Sequence, residues 1–562
     1  VALVKSPETH MPLSRPRKSD TAVPRQLPIF HGIEPWLWAM LALVLSIGSV
    51  RGLHPRFFND SYQYLSVADN ILRHHQLATS IVYFDSERSQ SRVPASETTQ
   101  ASGYSIAIYL LSWAHLAPET VAFFLSVAGF TGVALLLWFG AGFLGSSKGI
   151  RRLSVAAWVL NGTAIFYSTA IMSDLLFACV AVAGIVLLLV GENRHSNHYY
   201  AIPAGMLLIT FAYCIRYAGL FFVLAAYLFI LVRVVQRGPR TRVWLASLAG
   251  SVVIVGGIVI RNMVFAGTWT GGRLPKIERP IGFVLHQFAV AWYHLAFGVF
   301  STRDGAVVQA ACLASAVTVF LLLLADRHKV RGLATDSALV MLVLMFASYC
   351  VAVAYTQWRL PVEVGAPRYF LPLLPILILI IGRLCSSLWP VSSSGRTSWV
   401  RILAVVFILG YGYCNLNVLR RHGDPPPHVK LALYFDERTN QETRVSEWVE
   451  RHLPMDTAIV ATEGQGTGYL LRRPTVALAS PEFTAEAWDP NRVRDLMRTY
   501  RASHLIVYPH AQFADDLAQR QSVFLRNLAE GRYPDWLRLE ESSPHILIYQ
   551  TSESQPTPPR QF

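Results

Sequence analysis

Apolar runs long enough to cross a bilayer recur from Trp36 to about Val418 and then stop. A helix needs about 17 to 25 such residues to traverse roughly 30 Å of hydrocarbon. Eleven segments meet that requirement, beginning near Trp36, Glu119, Leu153, Asp174, Tyr199, Gly219, Val243, Ala306, Ser337, Arg368 and Val400. The pattern predicts a mainly α integral membrane protein with about 11 transmembrane helices. Two further apolar stretches are read differently. Residues 103–116 are short for a span, and residues 283–300 carry His286 and His294. Both are predicted to be interfacial or re-entrant.

Beyond Leu419 the chain turns polar and charged. Residues 457–462, 475–478, 504–508 and 545–549 read as strands, with helices near 443–452, 491–500 and 512–529. A small C-terminal α/β domain is expected, set off by the stiff Asp424-Pro425-Pro426-Pro427 spacer. Gly464-Gln465-Gly466-Thr467-Gly468 reads as a tight turn. Residues 469–478 after it read as strand, so the dinucleotide fingerprint fails.

Composition narrows the class. The 562 residues are 53% hydrophobic and only 15% charged, against about 25% charged in soluble domains. That argues against a cytosolic multidomain enzyme, and a chain this apolar is not disordered. The net charge of +14 fits contact with anionic membrane lipids, and no nucleic-acid partner is expected. All six cysteines lie inside or at the ends of apolar runs, which implies no disulfide framework. Residues 1–30 are polar and basic, and no small-residue cleavage site follows the first apolar run, so that run is expected to remain as an anchor.

Short loops rich in Lys and Arg stay cytoplasmic. Arg15, Arg17 and Lys18, then Lys148, Arg151 and Arg152, then Arg233 to Arg242, then Arg327 to Arg331 share one side only if 103–116 and 283–300 do not cross. Residues 1–34 are then a basic cytoplasmic segment, 35–419 the membrane domain with a first external loop at 51–118, and 420–562 a soluble extracytoplasmic domain. The expected location is the plasma (inner) membrane.

The first loop carries Asn59-Asp60-Ser61-Tyr62, and 61–75 has helical spacing of apolar positions. It is expected to lie on the membrane as an amphipathic helix, with Asp60 at its N-cap. Capping alone would account for Asp60; a carboxylate facing the bundle is the sharper reading. Asp174 stands at a turn between apolar helices on the same external side, where ionisation costs a few kcal/mol unless the carboxylate is partnered or wetted. Arg216 and Arg368 fall at external helix ends. Each can snorkel to headgroups, or bind phosphate through the planar guanidinium. Glu87 and Arg92, with Asp85 and Arg88, are either a solvated loop or the lining of an acceptor groove.

Taken in order, Asn59-Asp60-Ser61-Tyr62, Ser102-Gly103-Tyr104, Ser173-Asp174-Leu175-Leu176-Phe177, Arg216-Tyr217-Ala218-Gly219 and Arg368-Tyr369 before a Pro-rich helix resemble the GT-C superfamily of glycosyltransferases, in its protein O-mannosyltransferase and lipid A aminoarabinose transferase branch (family 39-like). The landmarks span roughly residues 51–375. The resemblance implies an inverting transferase. It would move a sugar from a polyprenyl-phosphate donor to a hydroxyl of a lipid, glycan or protein acceptor at the outer membrane face. It further implies Asp60 as general base and Asp174 as a second acid holding acceptor or a divalent cation, Mg or Mn. Arg368, Arg216 and Tyr369 would meet the donor phosphate, and Tyr62, Tyr104, Glu87 and Arg92 would line the cavity. Metal dependence stays open, because Asn59 and Ser61 flank Asp60 where the family often has a second acid or another polar residue. The rival class is a transporter or flippase of a lipid-linked or anionic substrate. Such proteins carry internal repeats and helices broken at mid-membrane, which this sequence does not display.

Overall fold

A computed structural model of the chain describes residues 32–50, 55–83, 89–192, 198–236, 240–271, 278–297, 336–360, 365–388, 406–407, 409–415, 447–462, 464–478, 489–508, 522–542 and 546–552. The spans expected from Ala306 and, for the most part, from Val400 lie outside the described residues, as do Glu87, Asp85, Arg88 and the spacer at 424–427.

The membrane part runs α1 (Glu34–Gly48), α2 (Asn59–His74), α3 (Gly103–Ser112), α4 (Pro118–Phe143), α5 (Lys148–Val159), α6 (Gly162–Ser168), α7 (Asp174–Glu192), α8 (Ala201–Ile215), α9 (Leu220–Val235), α10 (Thr241–Ala266), α11 (Ile281–Phe297), α12 (Ser337–Arg359) and α13 (Leu374–Leu388). Six segments among the described residues are long and apolar enough to span a bilayer: Pro118–Phe143, Asp174–Glu192, Tyr217–Val235, Thr241–Ala266, Ser337–Arg359 and Pro367–Ser387. The protein is therefore an integral membrane protein. α4 and α7 form its packed centre with Phe130, Trp158, Phe177, Phe222 and Phe370. α10 does the reverse and turns Val253 and Ile260 outward, 74% and 64% exposed, as a lipid-facing helix can.

Three expectations need correction. The apolar run from Leu153 is broken: α5 stops, and Asn161 starts α6 by accepting the Ala164 N–H at 2.8 Å. The buried Asn161 amide also donates to Leu295 O and the Tyr411 hydroxyl, so the polar residue interrupting the run is held by the fold. Second, α2 is not an exposed surface helix. Residues 61–68 are all buried, because the face that polarity suggested was wet is covered by α3 and by the C-terminal segment Gly464–Leu470. Third, the glycine run is no tight turn. Gly464–Leu470 forms a short helix, α14, which packs against α2. Its glycines permit close approach, since a Cβ at Gly464 would meet the Ala477 backbone at 2.4 Å, below any real Cβ contact.

The C-terminal strands are β4 (Ile459–Ala461), β5 (Thr475–Ala477), β6 (His504–Val507), β7 (Leu537–Ser542) and β8 (Leu547–Thr551), with helices α15 (Pro490–Tyr500) and α16 (Val523–Ala529). Sequence reasoning missed β7, whose run of charged residues is poor in β-formers; it is an edge strand, where charge blocks further pairing. The first loop supplies β1 (Ala78–Thr79), β2 (Ile81–Tyr83) and β3 (Ala95–Ser96). β1 and β3 pair antiparallel. β2 joins the C-terminal sheet, whose order is β2-β5-β4-β6-β8-β7, with Ile81 opposite Thr475 in a parallel ladder. The loop and the tail thus share one sheet, which anchors α2 from outside the bundle.

Candidate active site at the rim of the bundle

The start of α2 is capped by Ser61. Its hydroxyl accepts the Phe58 N–H at 2.8 Å and donates to Ile171 O at 2.7 Å. Asp60 is therefore not the N-cap, as the sequence suggested, but sits in the first turn. Ser61 takes over the orphan-amide role and leaves the Asp60 carboxylate to face Arg368.

The segment before α7 is pinned to the same place. Arg56 N–H donates to Thr169 O and Arg56 O accepts from Ile171 N–H, at 2.8 and 2.9 Å. The Arg56 guanidinium donates to Phe166 O, the Thr169 hydroxyl and Ser49 O, each at 3.0 Å. The Tyr64 hydroxyl meets that of Ser173 at 2.9 Å. α2 and the Asp174 turn are consequently one unit, and the charges of Asp60, Asp174 and Arg216 all reach Tyr64.

Two arginine–carboxylate pairs result. Arg216 pairs with Asp174, which is 1% exposed. Arg368 Nη1 lies 3.2 Å from Asp60 Oδ2, with the carboxylate 29% exposed. Arg368 also lies over the Tyr369 ring at 5.1 Å and donates to its hydroxyl at 3.3 Å. Arg216 senses the charge of Arg368, so both pairs belong to one cluster. Two landmark glycines explain how: a Cβ at Gly103 would meet Cys214 O at 2.5 Å, and one at Gly219 would meet Tyr213 N at 2.6 Å. Only glycine lets α3 and the turn after α8 close around Arg216.

The remaining expectations divide. Tyr62 is 3% exposed, stacked on Phe57 at 5.4 Å and 5.9 Å from Tyr469. Tyr104 is fully buried, edge-on to Tyr64, with its hydroxyl on Ala122 O. It is core rather than cavity wall, because the glycine before it draws α3 into the bundle. Arg92 is exposed, and Glu87 lies outside the described residues. No group of three or more His, Cys, Asp or Glu side chains suited to a metal exists among the described residues. The two carboxylates here each face a guanidinium. The roles of Arg56, Ser61 and Ser173 escaped sequence reading because each bonds a partner more than a hundred residues away.

No family model and no curated protein sequence matches the chain. Solved structures do. ArnT from Cupriavidus metallidurans bound to undecaprenyl phosphate superposes with a TM-score of 0.53 at 11% identity, covering 93% of this chain and 99% of that one. The Archaeoglobus fulgidus oligosaccharyltransferase in the apo form gives 0.54 at 12%, covering 93% and 75%. The arabinofuranosyltransferase AftD from Mycobacteria gives 0.50 at 14%, covering 92% and 41%. These are glycosyltransferases of the GT-C superfamily, and the chain has the GT-C fold.

Proposed function

We propose that this protein is a membrane glycosyltransferase that uses a polyprenyl-phosphate sugar and inverts the anomeric carbon, with Asp60 as general base. The observation that carries this reading is the half-open Asp60–Arg368 pair at the rim of a GT-C fold. Similarity to ArnT bound to undecaprenyl phosphate supports the donor class.

The donor phosphate competes with Asp60 for Arg368, since a guanidinium binds phosphate oxygens in paired fashion. Its arrival frees the carboxylate beside the reacting carbon. An acceptor hydroxyl attacks C1 from the opposite face, its proton passes to Asp60, and the C1–O bond breaks with its electrons leaving on the phosphate. Arg368, flanked by Tyr369, stabilises that charge. The Asp174–Arg216 pair holds the turn through which α2 is positioned. The buried walls around α2 exclude water, which would otherwise hydrolyse the donor. The site faces outward from the plasma membrane, with the C-terminal sheet on the extracytoplasmic side.

The test is Asp60→Asn. Donor binding is expected to persist while transfer disappears; a variant that still transfers at the parent rate removes Asp60 from this role.

A further inference from the structure

Arg56 stands beside the Asp60 and Asp174 turns, yet it is engaged differently from Arg216 and Arg368. Among the described residues its side-chain hydrogen bonds go to neutral oxygens. Nη1 donates to Phe166 O and to the Thr169 hydroxyl, and Nη2 to Ser49 O, each at 3.0 Å. The guanidinium also lies 4.3 Å over the Phe166 ring. Ser49 directly follows α1, and Phe166 is in the last turn of α6. Arg56 thus joins the ends of two helices, whose last carbonyls lack partners inside the helix and whose dipoles favour a cation there.

The backbone of the same residue ties the two acidic turns together. Arg56 forms a parallel bridge with Ala170, its N–H donating to Thr169 O and its carbonyl accepting the Ile171 N–H. Ser61 closes on the other side of Ile171 by donating to its carbonyl at 2.7 Å. Residues 56–61 therefore bracket Ile171, with Asp60 inside the bracket, and Asp174 begins α7 shortly after Ile171. Phe58, in the same segment, stacks on Tyr167 at 5.8 Å and meets Phe166 edge-on at 6.3 Å. Both carboxylates hang from a node that the Arg56 guanidinium braces against α1 and α6.

We propose that Arg56 is a positioning residue for the transfer reaction: its guanidinium fixes the Asp60 turn against the ends of α1 and α6 and so sets where the base stands relative to the reacting carbon. The role presupposes the glycosyltransferase reading and deepens it. It differs from that of a phosphate ligand, because the donors of Arg56 are committed to three neutral oxygens on the protein, whereas Arg368 meets a carboxylate that keeps 29% of its side chain exposed. It differs from plain stabilisation, because displacing a catalytic group by about 1 Å can cost about 10²-fold in rate. Charge alone does not suffice for it. The ammonium of a lysine is a single point at the end of a flexible stem and does not reproduce the fixed planar fork of a guanidinium.

The experiment uses full-length protein in nanodiscs, labelled undecaprenyl-phosphate hexoses and pentoses as donors, and hexyl glycosides and a serine-containing peptide as acceptor probes; the pair the parent turns over best is carried to the variants. Arg56→Lys and Arg56→Gln are expected to lower kcat by about 10- to 100-fold, with donor KM and calorimetric affinity for undecaprenyl phosphate within about twofold of the parent. Thr169→Val removes one arm of the brace and should lower kcat about threefold, which keeps the test open if Arg56→Gln does not fold. Arg383→Gln is the control for a structural arginine. Arg383 bonds the Asp336 carboxylate and Leu144 O far along α13 from Arg368, and kcat of the folded variant should stay within about twofold of the parent. Parent kcat in Arg56→Lys, or losses in the Arg56 variants no larger than in Arg383→Gln, overturn the positioning role. Weakened undecaprenyl phosphate binding in Arg56→Gln makes Arg56 a phosphate ligand and overturns it too. A parent that turns over no donor defeats the glycosyltransferase reading and the positioning role with it, whereas an active parent with unaffected variants defeats the positioning role alone.

Discussion

Asp60–Arg368 and Asp174–Arg216 join the same two residue types in the same cluster, yet they differ in burial and in closeness of contact. Asp174 is 1% exposed and Arg216 only 16%, with Gly103 and Gly219 closing the backbone around them. Taking such a pair from water is costly, and the cost is offset only while both partners remain. Asp60 keeps 29% of its side chain exposed and meets Arg368 at 3.2 Å, through one nitrogen. A pair held that loosely can exchange partners with an arriving phosphate. Burial, rather than residue type, separates the two pairs.

The difference can be broken experimentally. Asp60→Asn should lower transfer by about 10²–10⁴-fold with the melting temperature of the detergent-solubilised protein unchanged. A large loss of stability would erase the distinction. Asp174→Asn should instead destabilise by about 3–5 kcal/mol, read by thermal unfolding. Arg216→Gln should cost a similar amount, and the double variant should recover a substantial part. If the double variant is as unstable as the sum of the singles, the two side chains do not act as a pair.

Glu97 calibrates the comparison, because its carboxylate is buried and held by the Gln100 and Thr99 amides rather than by a guanidinium. Its carboxyl titrates at about 7 in the folded protein against 4.5 ordinarily, so between those values the folded state holds a proton that the unfolded state has lost. The contribution is complete below about pH 4.5 and declines as pH rises towards 7, by about 3 kcal/mol in total. Arg261 and Tyr217 are the charged and titratable neighbours that share its field. Unfolding of Glu97→Gln across this range should lack that decline; an identical pH profile in parent and variant would contradict the assignment.

Smaller effects sharpen the picture. Arg368→Lys keeps the charge but loses the planar fork, and the donor KM should rise about tenfold, roughly 1.4 kcal/mol, with kcat less affected. A fall in kcat with donor KM unchanged would place the contribution of Arg368 in the transition state alone. Tyr469→Phe removes the hydroxyl that α14 donates to Glu119 and should cost about 1 kcal/mol. Because Tyr469 also packs on Tyr62, a fall in kcat without a change in donor KM would show that the C-terminal domain positions α2.

Much of the architecture was legible from one dimension. Hydropathy located the spanning helices α4, α7, α9, α10, α12 and α13, since an 18-residue apolar stretch has few alternatives to a bilayer. Alternation and β-branching located β4, β5, β6 and β8. The order of short landmarks pointed to the GT-C fold. Reading went wrong where a local signal competed with a distant partner. Asp60 looked like a cap until Ser61 took that role by accepting the Phe58 N–H, its hydroxyl oriented by donation to the distant Ile171 carbonyl. The Gly464–Gly468 run looked like a turn until close packing against Ala477 explained its glycines. Tyr104 looked exposed to a cavity until α3 was seen folded into the core.

What the chain determined by itself is therefore the medium and the alphabet: which stretches are apolar enough for lipid, and which acids and arginines stand at their ends. These follow from transfer free energies that depend on composition over a window. Tertiary structure alone decided which arginine answers which carboxylate, how deeply each pair is buried, and that a strand of the first loop completes the C-terminal sheet. Those choices depend on contacts between residues up to several hundred positions apart, and burial, a property of the packed whole, sets the strength of every charge in the site.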